Sequence, residues 1–117
     1  MNNQANEQIQ EIASLVFQSV LDESENWQQM ISRFQFLDGA MKDTHAWVSD
    51  TNDVVFYFPE LDMEIAEKVE QLRVASMVDD SQWIVCLLTI DSNKEINIDF
   101  EYEDGERWPP RKFEDLV

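Results

Sequence analysis

The excess of carboxylates constrains this chain more than any other feature. Its 25 Asp and Glu stand against 8 Lys and Arg, and the formal net charge of -17 is carried on only 117 residues. An ionised carboxylate moved into a low-dielectric interior is costly unless it is paired, and here the cations are too few to pair them. A fold must therefore keep these groups on turns and on the outer faces of periodic elements, while the 44% of hydrophobic residues forms a separate interior. Four Trp, seven Phe and two Tyr provide enough apolar surface for that interior, so the acidity is not the signature of a disordered chain. At this length a single domain, residues 1 to 117, is expected.

The same charge balance excludes several function classes. No basic residue precedes Arg33, and Arg107, Arg111 and Lys112 all fall near the carboxy terminus. Direct nucleic-acid binding and attraction to an anionic membrane both need a basic footprint, which is missing. No apolar run approaches a membrane span, and the first residues, Met-Asn-Asn-Gln-Ala-Asn-Glu, lack the basic and apolar regions of a secretory signal, so a cytoplasmic location is expected. Cys86, the single cysteine, lies between Ile84-Val85 and Leu87-Leu88 and reads as a buried, reduced thiol.

Periodicity then outlines the elements. Over residues 4 to 21, Ile9, Ile12, Ala13, Val16, Phe17, Val20 and Leu21 recur at the spacing of an amphipathic helix. Asp22 to Asn26 is a polar turn. From Trp27 the pattern nears alternation through Met30, Ser32, Phe34 and Phe36, and Asp38-Gly39 is a strong hairpin signal returning the chain as Ala40 to Val48. Val54 to Phe58 forms a third strand closed by Pro59. Leu61, Ile65, Val69 and Leu72 predict a second helix that ends near Asp79-Asp80. Trp83 to Ile90 is a buried strand, and Asp91 to Asn93 turns it into a last strand in which Ile96, Ile98, Phe100 and Tyr102 oppose Glu95, Asn97, Asp99, Glu101 and Glu103. Residues 104 to 117 read as an extended tail, with Trp108 and Phe113 as candidate anchors. The order α-β-β-β-α-β-β implies an α+β fold, a mainly antiparallel sheet of about five strands with two helices on one face, the other face being wet and acidic.

Catalytic constellations are hard to build from this chain. His45, the only histidine, shows no orienting partner and reads as a half-exposed strand residue. Two glycines, Gly39 and Gly105, cannot make a phosphate-binding loop. Asp91, Asn93, Glu95, Asn97 and Asp99 alternate somewhat as in a calcium loop, yet Ile96 and Tyr102 stand where that loop requires Gly and Glu. No metal site, no cofactor and no enzymatic activity are expected, and the carboxylates should be solvated and ionised at neutral pH.

What remains is a surface. Same-face side chains along Glu95 to Glu103 repeat at about 6.8 Å, close to the roughly 7 Å between successive phosphates on one DNA strand. Glu60, Glu64 and Glu67 add a second row, in which like charges cost about 0.2 to 0.5 kcal/mol per pair. The charge also exceeds the roughly 2 to 8 that solubility asks of a small domain. Glu60, Glu64, Glu67, Glu70, Glu95, Asp99, Glu101, Glu103 and Asp104 are the candidate contacts for a basic partner. Trp27 and Trp108, which flank loops, are candidate aromatic anchors, with core packing the plainer reading of both.

Two resemblances accompany these residues. Trp83, Leu87-Leu88 and the run Ile96-Asn97-Ile98-Asp99-Phe100-Glu101-Tyr102-Glu103-Asp104 resemble the final hairpin of the YezG-like immunity proteins of bacterial toxin systems, whose element order is similar, while Pro109-Pro110 departs from them. In size, charge and aromatic content the chain is similar to small bacterial DNA-mimic proteins that engage the histone-like protein HU. The second resemblance implies a monomer that displaces DNA from a basic DNA-binding protein and is nucleoid-associated through it. The first implies neutralisation of a basic nuclease toxin.

Overall fold

The computed structural model describes residues 3–23, 27–60 and 62–117, and the side chains of residues 3 and 19–23 lie outside that description. The first helix runs on through Asp22 and Glu23, where the sequence predicts a turn, while the rest of that turn, Ser24 to Asn26, and Leu61 lie outside the described residues, as do the side chains of Val20 and Leu21. Within them the chain runs α1 (Asn3–Glu23), β1 (Trp27–Leu37), β2 (Ala40–Ser49), β3 (Val54–Tyr57), α2 (Asp62–Ala75), β4 (Val85–Asp91), β5 (Ile96–Glu101) and a 3-10 segment (Pro110–Leu116). The fold is α+β, with one antiparallel sheet in the order β3-β2-β1-β4-β5.

Local chemistry accounts for these elements. Asp38 and Gly39 both adopt positive φ, 52° and 81°, which sets the twist a two-residue β1–β2 connection requires and makes glycine the natural second residue. β3 ends at Tyr57, one residue earlier than expected, before buried Pro59. Asp62 and Glu64 occupy the first turn of α2 and Arg73 its last, each sign matching the helix dipole. The helix stops at Ala75, short of the expected end. The Ser76 hydroxyl there donates back to the Leu72 carbonyl and accepts from the Trp83 indole, leaving Asp79 and Asp80 to form a tight turn bridged by Val78 and Ser81.

Both helices pack on one face. Ala5, Ile9, Ile12, Ala13 and Val16 of α1 and Ile65, Val69 and Leu72 of α2 close over Met30, Phe34, Cys86, Leu88 and Ile90. Trp83, expected inside a strand, lies just before β4. It is fully buried, stacked on Phe100 at 5.6 Å and edge-on to Phe36 at 5.4 Å. Burial raises the Cys86 thiol well above its ordinary pKa, consistent with a core residue. Trp27 packs edge-to-face on Phe17, and Trp108 packs against a second, smaller core formed by Ile31, Ala46, Val48, Leu87 and Phe113, so both follow the core-packing reading. No helix among the described residues is long and apolar enough to cross a membrane.

The opposite face departs from expectation. It is not left to water, because the last residues are not an extended tail. The Arg33 guanidinium, 4% exposed, donates to the carbonyls of Gly105 and Arg107, and Gln35 donates to Gly105 as well. These bonds bring the 3-10 segment across the sheet, where Phe113 packs fully buried among Ile31, Ala46, Val48 and Leu87 and stacks on Phe56. β1 is therefore covered on both sides through its middle. This explains why alternation in β1 looked imperfect from sequence: the residues between the helix-facing positions are also core.

Candidate functional site

The nine carboxylates singled out from sequence do not form one array. Glu60 is exposed in the turn before α2, and Glu64, Glu67 and Glu70 are exposed on that helix at intervals of three. Asp99 and Glu101 belong to the other face of the sheet, since Ile96, Ile98 and Phe100 of β5 pack toward the helices and strand residues alternate. The regular acidic strand is also shorter than expected. Glu101 ends it by turning its carboxylate back on the N–H groups of Glu103 and Asp104, at 3.1 and 3.3 Å, and by pairing with Arg107 at 3.1 Å. Those bonds, the backbone ones foremost, hold Glu101 below the ordinary carboxylate range. Glu101 is thus engaged within the chain. Glu95, Asp99, Glu103 and Asp104 remain exposed around it.

The cations are largely spent inside the molecule. Arg33 is buried on backbone carbonyls. Arg73 donates to the Trp83 carbonyl and lies 4.2 Å over the Phe36 ring. Lys68 pairs with Glu11 at 2.7 Å, tying α2 to α1, and Lys94 sits over Phe17. With Arg107 on Glu101, five of the eight basic residues are engaged within the chain, and Lys68, the one lysine of α2, faces Glu64 and Glu67 as well as Glu11.

A second constellation was missed from sequence. His45, expected half-exposed and without an orienter, is 3% exposed and held at both nitrogens. Ser32, its partner across β1 and β2, lies 2.8 Å from Nδ1, and Asp43, two residues back on the same face, lies 2.7 Å from Nε2. An ionised carboxylate can only accept, so Nε2 carries a proton and a neutral ring accepts the Ser32 hydroxyl at Nδ1. Asp62, opening α2, brings Oδ1 to 3.9 Å from Nε2. Asp43 is pulled down to about 2, first by its hydrogen bond to His45. Asp62 is pushed up to about 6, first by sharing a proton with Asp43 and then by burial. The group opens on a cavity of about 420 Å³ walled also by Thr44, Phe56, Tyr57 and Phe58.

These residues have the composition of a hydrolytic triad in the wrong arrangement. Ser32 is 1% exposed and sits behind the ring, away from the cavity, so its hydroxyl cannot meet a substrate there. Asp43 and His45 carried a signal that sequence could have offered, because residues i and i+2 of a strand share a face. Asp62 carried none, being brought in by α2.

Phe58, which lines the cavity, is 97% exposed, and Met63, beside Glu64 in sequence, is 87% exposed. No protein-family model matches the chain, and no curated protein matches it either.

Proposed function

We propose that this protein binds a basic nucleic-acid-binding protein through the carboxylates along α2 and displaces the nucleic acid from it, acting in the cytoplasm and reaching the nucleoid through that partner. The observation carrying this reading is the exposed row Glu60, Glu64, Glu67 and Glu70, which outnumbers the neighbouring Lys68, itself paired with Glu11. A surface of one sign steers a cationic partner into fast association and weakens as salt rises. The α2 row is preferred over β5 because Phe58 and Met63 adjoin it, and acidic interfaces still use aromatic and Met anchors. The β5 carboxylates lie on the other side of the sheet and would not meet the same flat partner surface.

HU is the first partner to test. In a mobility-shift assay at low salt the protein should release DNA from HU, and a Glu60→Gln, Glu64→Gln, Glu67→Gln variant should need at least tenfold more protein to do so. No release at large molar excess removes HU as the target. Release by the variant at the parent's concentration removes α2 as the binding face.

The immunity reading draws on the same exposed apolar side chains. Phe58 and Met63 would give one dedicated toxin a stereospecific contact, whereas a general mimic of DNA draws most of its affinity from charge and would lose less when either is removed. Rescue of cells from a co-expressed nuclease toxin, lost with Phe58→Ala, would favour it.

A further inference from the structure

We propose that Asp43, His45 and Asp62 bind a divalent first-row transition metal, with Zn²⁺ the best fit, and leave coordination positions open toward the adjoining cavity. The three ligand atoms come from β2 and the start of α2 and lie within 4.8 Å of one another. Zinc bonds of about 2.1 Å in tetrahedral geometry separate neighbouring ligands by about 3.4 Å. The His45–Asp43 and His45–Asp62 separations of 2.7 and 3.9 Å bracket that value, and the Asp43 and Asp62 oxygens lie within 4.8 Å of one another.

Two observations outside the cluster's own bonds point the same way. Asp62 Oδ1 is shielded from solvent and has no hydrogen-bond partner, although the side chain as a whole is half exposed. A shielded carboxyl oxygen left in that condition is costly; the proton shared with Asp43 relieves the pair in the free protein, and a metal ion would take that proton's place. The second is Ser32. A metal on Nε2 needs the ring proton on Nδ1, and the Ser32 hydroxyl at 2.8 Å accepts from Nδ1–H as readily as it donates to bare nitrogen. It is the outer partner that orients a ligating imidazole, fully buried and on the strand paired with β2.

Metal class follows from the donors. One imidazole with two carboxylates suits Zn²⁺ and its first-row neighbours, whereas Ca²⁺ and Mg²⁺ take oxygen shells and would gain nothing from His45. The expectation of no metal site weighed only the stretch after Asp91, which contributes none of these residues.

The surrounding negative charge would gather any cation loosely, so the test uses salt to strip that cloud. Zn²⁺ is titrated calorimetrically into the full chain at 1 M NaCl, where the screening length is about 3 Å, and Co²⁺ absorption reports geometry. One equivalent should bind, with visible Co²⁺ bands of an imidazole-containing site. Asp62→Asn, at a half-exposed position that should not disturb folding, should weaken Zn²⁺ at least tenfold, Ser32→Ala by about 10- to 100-fold, and the distant Glu114→Gln not at all. No stoichiometric binding at 1 M salt overturns the proposal, as does unchanged affinity in Asp62→Asn. Equal affinity for Mg²⁺ and Zn²⁺ overturns the transition-metal assignment. None of these results depends on whether HU or a toxin is bound.

Discussion

Asp43 and Asp62 titrate as neighbours, and their opposed displacements make stability depend on pH in a definite way. Asp62, raised from 3.8 to about 6, favours the folded state in its protonated form. Its contribution is present below about pH 4 and is lost as pH rises through 6. Asp43, lowered from 3.8 to about 2, contributes above about pH 4 and loses that contribution as pH falls through 2. Together they support the fold best near pH 4, where the contribution of Asp43 is complete and the loss from Asp62 has not begun. The half-exposed Asp62 is screened by water, so the effect is modest. Urea unfolding with a chelator present should show the parent losing stability between pH 5 and 7.5 by more than Asp62→Asn does. Parallel losses would mean that the two carboxylates share no proton. General repulsion also grows over this range, but it acts on both proteins and cancels in the comparison.

At the scale of elements, the carboxy-terminal 3-10 segment is the part whose role is easiest to underestimate. Nothing in Pro109 to Val117 suggests a repeating apolar face, yet Phe113 fills the second core and the Arg33 bonds hold the approach to it. Phe113→Ala should therefore cost about 3 to 5 kcal/mol in chemical denaturation, as removal of a buried aromatic does. A cost under about 1 kcal/mol would show that the segment only rests on the sheet. The edge strands differ in protection. β5 carries Asp99 and Glu101 along its exposed side, a usual guard against edge-to-edge pairing, while β3 is guarded by being only four residues long.

For the molecule as a whole, self-repulsion and partner attraction respond to salt with opposite signs. A charge of -17 destabilises the compact state, so raising NaCl from about 0.05 to 0.5 M should raise the melting temperature, while affinity for a basic partner falls over the same range. A melting temperature that falls with salt would mean that attractive pairs such as Lys68–Glu11 and Arg107–Glu101 outweigh the repulsion.

Local patterns in the chain were sufficient for the element order, the Asp38-Gly39 hairpin, the α1 stripe and the helix-facing side of β5, because each arises from residues a few positions apart obeying one period. Sequence alone also determined that most carboxylates would be superficial, since too few cations exist to bury them; Asp43 and Glu101, held by His45 and Arg107, are partly buried exceptions. The tertiary structure decided the rest. Asp62 meets His45 across 17 positions, Arg33 reaches carbonyls more than 70 positions away, and α2 and β5 send their carboxylates to opposite sides of the sheet. Periodicity records which face a residue takes within its own element, whereas the relative placement of elements is set by how their apolar faces pack, and that information is spread over the whole chain.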